Sequence, residues 1–334
     1  MGIVNACALS GCHPDSSLAA LEAVMTKWYG ELKPRKPIVE ALLYFDRLDD
    51  ERAAAAVLLD SAASHPAAQV AALGAFVTRF LAPDMYRLDP ETDRALRVLA
   101  RSEDLDLRAG ALAALHLARG GDAQTREFLI RALEEEGAAE AVLRARWATA
   151  VGTFADGYFQ AADWSRAIIT YRKALEIRPG DPALLMNLGL AQTYAQDHEA
   201  AANSLRQSLE ADPRRPLAWI NLGLALEGLG DVSGAEEAYR RAIAVKDEEA
   251  LAHFNLGNIL LRRGDAAGAI ERYQRAVVLE PTLTQAYLYL VRAYVEANDV
   301  ANAVVVARRW LRFAPDDPRP RQLLLEVESQ LRRR

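Results

Sequence analysis

The sequence predicts an all-α fold, a right-handed α-solenoid of helical hairpins, and three observations carry that prediction. Asp163, Asp197, Asp231, Asp265 and Asp299 stand 34 residues apart. Four residues after each comes an alanine: Ala167, Ala201, Ala235, Ala269 and Ala303. Ahead of this array, residues 38–147 carry helical patterning without the period. A fixed period of this length marks units that cannot bury their apolar faces alone, so that stacking supplies the core.

In residues 38–147 the apolar spacing predicts helices over 51–64, 67–81, 91–102, 105–119, 123–136 and 138–159. Short links at Pro66, at the Asp104-Leu105-Asp106 step and at Gly120-Gly121 fold them into hairpins. Alanine and leucine dominate, as in Ala111-Leu112-Ala113-Ala114-Leu115, which suits close helix packing. These pairs resemble degenerate HEAT-type repeats.

Residues 148–317 read as five hairpins. The residue before each periodic aspartate is Ala162, Gln196, Gly230, Gly264 or Asn298. Three of these are Gly or Asn, which tolerate the left-handed conformation past a helix end, and the aspartate side chain can accept from the amides opening the next helix. Small residues, Ala155, Gly189, Gly223 and Gly257 in the first helices and Ala174, Ser208, Ala242 and Ala276 in the second, let antiparallel helices approach. Tyr171, Leu205, Tyr239 and Tyr273 fill the volume between them. Pro179, Pro213, Pro281 and Pro315 close four units, because proline cannot continue a helix. On stretches such as Trp219-Ile220-Asn221-Leu222-Gly223, followed by Ala235 and Tyr239-Arg240-Arg241-Ala242, this array resembles the tetratricopeptide repeat family. The last unit departs from the pattern: it has Val291 where glycine is usual, and Ala307 and Trp310 exchange the large and small positions. Residues 318–334 complete the stack as a capping helix.

The chain has 334 residues, 51% hydrophobic and 26% charged, with a formal net charge of −6. Basic residues are scattered among acidic ones rather than gathered in a stripe, which argues against nucleic acid as a partner. No run of about 18 uninterrupted apolar residues occurs, so no membrane span is expected. Gly228-Leu229-Gly230 reads as a repeat turn, and His65, His116, His198 and His253 are isolated in sequence. Without a Gly-x-Ser-x-Gly elbow, a His-Glu-x-x-His pair or a Walker loop, the expectation is that the chain is not an enzyme.

Both cysteines fall in residues 1–37, as Cys7-Ala8-Leu9-Ser10-Gly11-Cys12-His13. The usual attachment signal for c-type haem has two cysteines separated by two residues and followed by histidine; here the spacer is four. Asn5-Ala6-Cys7, Cys12-His13-Pro14-Asp15, an amphipathic helix from about Ser17, and Trp28-Tyr29-Gly30 leading into helical repeats resemble the C-terminal part of a family of bacterial multihaem cytochromes. That resemblance implies a haem c anchored by Cys7 and Cys12, with His13 as proximal iron ligand and cytochrome components among the partners. The family's other haem motifs and a distal ligand are missing from this sequence. The residues themselves leave open a Cys7–Cys12 disulfide and two free thiols, while zinc lacks an evident fourth ligand. Residues 1–5 contain neither the charged nor the apolar region of an export signal. The expected location is therefore periplasmic if the chain is part of a longer exported cytochrome, and cytoplasmic if Met1 is the true start.

Asn187, Asn221 and Asn255 recur at one position of the first helix, each just before Leu-Gly. Stacking places first helices along the concave side, so these amides form a ladder that can bond the backbone of an extended peptide. The same amides could instead tie neighbouring first helices together. Two functions follow: a non-catalytic scaffold holding a protein or peptide in its groove within a cytochrome system, or a haem electron carrier docked by its solenoid. A pyridine haemochrome spectrum separates them, since only the carrier is coloured.

Overall fold

The computed structural model describes residues 37–43, 45–62 and 66–332; Cys7, Cys12, His13 and His65 lie outside the described residues. Among the described residues the chain forms seventeen α-helices and no strand. The first seven are α1 (Pro37–Leu43), α2 (Glu51–Leu58), α3 (Pro66–Phe80), α4 (Pro90–Leu99), α5 (Leu105–Arg119), α6 (Ala123–Glu134) and α7 (Glu140–Gln160). From there the chain alternates α8 (Trp164–Ile177), α9 (Pro182–Tyr194), α10 (His198–Ala211), α11 (Pro216–Gly228) and α12 (Val232–Val245). It ends with α13 (Ala250–Arg262), α14 (Ala266–Leu279), α15 (Thr284–Glu296), α16 (Val300–Phe313) and α17 (Pro318–Arg332).

The five turns at the periodic aspartates share one geometry. Ala162, Gln196, Gly230, Gly264 and Asn298 all have positive φ, from 58° to 81°. Each following aspartate donates its backbone N–H to the carbonyl five residues back, for example Asp163 to Tyr158 at 2.9 Å and Asp299 to Tyr294 at 2.8 Å. Each carboxylate then accepts from the amide three residues on, at Arg166, Ala200, Gly234, Gly268 and Asn302, over 2.8–3.2 Å. The left-handed residue is thus imposed by the closing hydrogen bonds even where a side chain opposes it. Holding alanine or glutamine there costs about 1–2 kcal/mol. Ala162→Gly and Gln196→Gly should each raise stability by about 0.5–1 kcal/mol, after the entropy glycine loses on folding. Thermal melts that fail to move upward would refute this.

Within the hairpins, the small and large positions mesh as the spacing requires. A Cβ on Gly189 would lie 2.5 Å from Leu205, and one on Gly257 would lie 2.7 Å from Tyr273. Ala167, Ala201, Ala235, Ala269 and Ala303 are all fully buried. The hairpin partners α7/α8, α9/α10, α11/α12 and α13/α14 pack along their lengths, and each second helix then meets the next first helix.

In the N-terminal part the predicted helices are present, with one clear shortening. The 51–64 helix ends at Leu58. The buried Gln69 side chain donates to the carbonyls of Asp60 and Ser61, at 3.0 and 3.4 Å, and holds the chain in a turn. Helix α5 packs on α3, α4, α6 and α7 and touches α8, rather than on a single hairpin partner. Its residues Ala109 to Ala118 are all buried, as expected of a helix apolar all round. One buried cluster runs from Ile38 through α5 to Ala191 in α9. Where α8 meets α5, the buried Lys173 ammonium lies 2.6 Å from Asp84. His116 meets Glu176 at 3.0 Å, and burial pulls its imidazole below the usual histidine range.

Candidate functional site

Helices α3, α5 and α7 touch in succession, as do α9 with α11 and α13 with α15. Leu184 of α9 packs at Gly152 of α7, and Arg262 of α13 pairs with Glu227 of α11. The first helices therefore make one continuous row. Along it, Asn187, Asn221 and Asn255 occupy equivalent positions of α9, α11 and α13, with Thr153 before them and Tyr289 after. Asn187 and Asn221 are half-buried and Asn255 is buried.

The three amides are not used alike. Asn187 Nδ2 donates to Asp156 Oδ1 of the preceding first helix at 3.5 Å. The residues equivalent to Asp156 that face Asn221 and Asn255 are Leu190 and Leu224. Leucine cannot accept, and neither side-chain amide hydrogen-bonds to another described residue. Tying of neighbouring helices thus accounts for Asn187 alone. Exposed apolar side chains lie a turn to either side of the free amides: Leu217 (47% exposed), Leu224 (37%) and Leu251 (44%). Tyr194, also exposed, stacks on Trp164 at 4.9 Å.

The plug tyrosines supply something the pattern alone did not reveal. Tyr171 Oη donates to Asp156 at 2.5 Å, Tyr273 Oη to Asn258 at 2.8 Å, and Tyr239 Oη to Glu227 at 2.8 Å. Each core ring thus orients a polar group on the first helix of its own unit. Burial raises all three phenols above their usual range, so they remain protonated donors at neutral pH. The signal was available in the sequence, since Asp156 and Asn258 share a register position.

Two hollows open on this row. One, of about 300 Å³, lies between α7 and α9 and is lined by Thr149, Thr153, Asp156 and Asn187. The other, of about 430 Å³, lies between α3, α5 and α7 and is walled by Val70, Leu73, Ala109 and Phe154, again with Thr149 and Thr153. The shared threonines make the second a continuation of the first. No group of three or more His, Cys, Asp or Glu able to hold a metal occurs among the described residues, and none of the described helices is long and apolar enough to cross a membrane.

Models of the tetratricopeptide repeat match residues 186–245 and 224–284, and a second such model matches 260–326. The chain carries tetratricopeptide repeats there, and α7/α8 precede the matched region with the same turn geometry. Among solved structures, MamA protein is 26% identical over 50% of this chain and 92% of its own, with a TM-score of 0.44. YrrB, described as a TPR protein with an unusual peptide-binding site, is 19% identical over 55% of this chain and 92% of its own, with a TM-score of 0.43. The APC/C hetero-tetramer Cut9-Hcn1 is 16% identical over 94% of this chain and 60% of its own, with a TM-score of 0.50, a likeness of fold that spans both parts. No curated protein matches the sequence.

Proposed function

We propose that this protein is a non-catalytic helical-repeat scaffold whose first-helix row holds an extended peptide or protein segment. The observation that carries the reading is the pair of amides on Asn221 and Asn255, which lie in register and have no acceptor across from them because Leu190 and Leu224 stand there. A primary amide offers both a donor and an acceptor, which matches a peptide backbone whatever its side chains. The exposed leucines beside the amides add apolar contact.

The test begins with a peptide selected from a random library on the folded chain. Its affinity for wild type is then compared with that for the Asn187→Ala/Asn221→Ala/Asn255→Ala variant. At about 1 kcal/mol for each bond lost, two or three bonds should lower affinity by about thirty- to 150-fold, with only the small drop in melting temperature that loss of the Asn187–Asp156 contact brings. Unchanged affinity together with a lowered melting temperature would assign the amides to the fold instead. Association with a multihaem cytochrome system, with haem c at Cys7, Cys12 and His13, rests on the sequence resemblance of residues 1–37 alone; a colourless chain after expression beside the haem-attachment machinery would remove it.

A further inference from the structure

One register line on the first-helix row varies in chemistry from end to end. Asp156, Leu190, Leu224, Asn258 and Arg292 stand at 34-residue intervals, one on each of α7, α9, α11, α13 and α15. Asp156 accepts from Tyr171 and from Asn187 but pairs with no cation among the described residues. Arg292 is exposed, with its guanidinium 5.4 Å from the Tyr289 ring, and pairs with no carboxylate among the described residues. Glu296, one turn further along α15, forms no ion pair with it. Of the other charges beside the line, Arg178 is matched with Asp181 at 3.0 Å and Arg262 with Glu227, while the exposed Glu296 forms no ion pair among the described residues. The line itself therefore has an unneutralised anion at its α7 end, two leucines in the middle, an amide beyond them, and an unpaired cation at its α15 end.

We infer that this line selects the occupant of the groove: an extended peptide with a basic residue at one end, apolar residues in the middle and an acidic residue at the other. The inference rests on the groove reading above. Neighbouring packed helices lie about 8–10 Å apart, and an extended chain in the polyproline II conformation advances about 3.1 Å per residue with three residues per turn, so each helix step spans about three residues and side chains three apart face the same way. Four steps then span about twelve residues. Every third side chain of the peptide meets the line, and the asparagine ladder beside it takes the backbone. The tyrosines of the core hold the polar members in place: Asp156 and Asn258 are each fixed by the hydroxyl of their own unit's plug. The charged ends set orientation and exclude like-charged partners, as charge complementarity does at interfaces generally.

The test uses four fluorescent peptides of about thirteen residues, with spacing from the helix step. Each has leucine at two successive third positions and glutamine at the next, with alanine and serine elsewhere. One runs from lysine to glutamate, the second is its reversed sequence, the third has lysine at both ends and the fourth glutamate at both. One of the two bipolar peptides should bind at least about fivefold tighter than either like-ended peptide, the scale of exposed charge pairs, and that margin should shrink with salt. Asp156→Asn keeps an oxygen for Tyr171 and should abolish discrimination against the glutamate-ended peptide only. Arg292→Gln should abolish discrimination against the lysine-ended peptide only. Circular dichroism confirms that both variants fold. Equal binding of all four peptides, or discrimination that survives both substitutions, overturns the inference. If that equal binding still disappears in the triple asparagine variant, the groove reading stands without the register. Failure of all four to bind also overturns it, and the library-selected peptide decides separately whether the groove reading falls too.

Discussion

Tyr239→Ala should lower the unfolding free energy by about 3–5 kcal/mol, measured by urea denaturation followed by circular dichroism. The ring is fully buried in the middle of the array. It lies directly against Gly223, where any Cβ would collide with the ring carbons, so truncation leaves a void that the bare glycine opposite cannot fill. The hydroxyl also donates to Glu227, the carboxylate that pairs with Arg262 of the next first helix. Tyr239→Phe separates these contributions: it keeps the ring and should cost only about 1 kcal/mol. Gly223→Ala in the wild-type background should cost about 1–3 kcal/mol by overpacking. In the Tyr239→Ala background that cost should largely vanish, because the clashing atoms are gone. A double-mutant cycle reads this coupling, and additive costs would show that the glycine and the tyrosine do not form one packing unit.

That pair illustrates how much of the fold is legible in the sequence. A 34-residue period assigns the caps, the small positions and the plugs, because each is a local steric demand repeated in every unit. It also implies that residue 162 or 196 takes the turn conformation, although neither Ala162 nor Gln196 favours it. Pairing in the N-terminal part was less legible. The boundaries of α5 could be read, but Ala109 to Ala118 present apolar surface in every direction, so the pattern names no preferred partner and the chain surrounds the helix on all sides. At the candidate site the asparagine ladder was visible in the letters. Whether its amides are already used depends on a second register one helix away, where Asp156 accepts and Leu190 and Leu224 cannot. Pairwise relations of this kind appear only when two periodic positions are considered together.

Trp310→Ala should cost about 3–5 kcal/mol as well, and its effect should be concentrated at the C-terminal end. In the last unit the sizes are reversed: Val291 replaces the glycine and Ala307 the plug, and both are fully buried. The added volume on α15 thus offsets the lost volume on α16, in keeping with cores that tolerate swaps when total volume is kept. Freed from the plug position, the large side chain appears one turn later as Trp310, itself fully buried. Its indole stacks on Tyr287 of α15, with centroids 6.3 Å apart and planes inclined by 17°. The Arg319 guanidinium of α17 covers it at 5.4 Å. Trp310 therefore joins the last hairpin to α17. Removing it should deprotect the amides of α17 in hydrogen exchange by a larger factor than those of α11 or α12, since repeat arrays couple mainly to nearest neighbours. Equal deprotection along the whole array would mean that Trp310 stabilises the solenoid globally rather than anchoring α17.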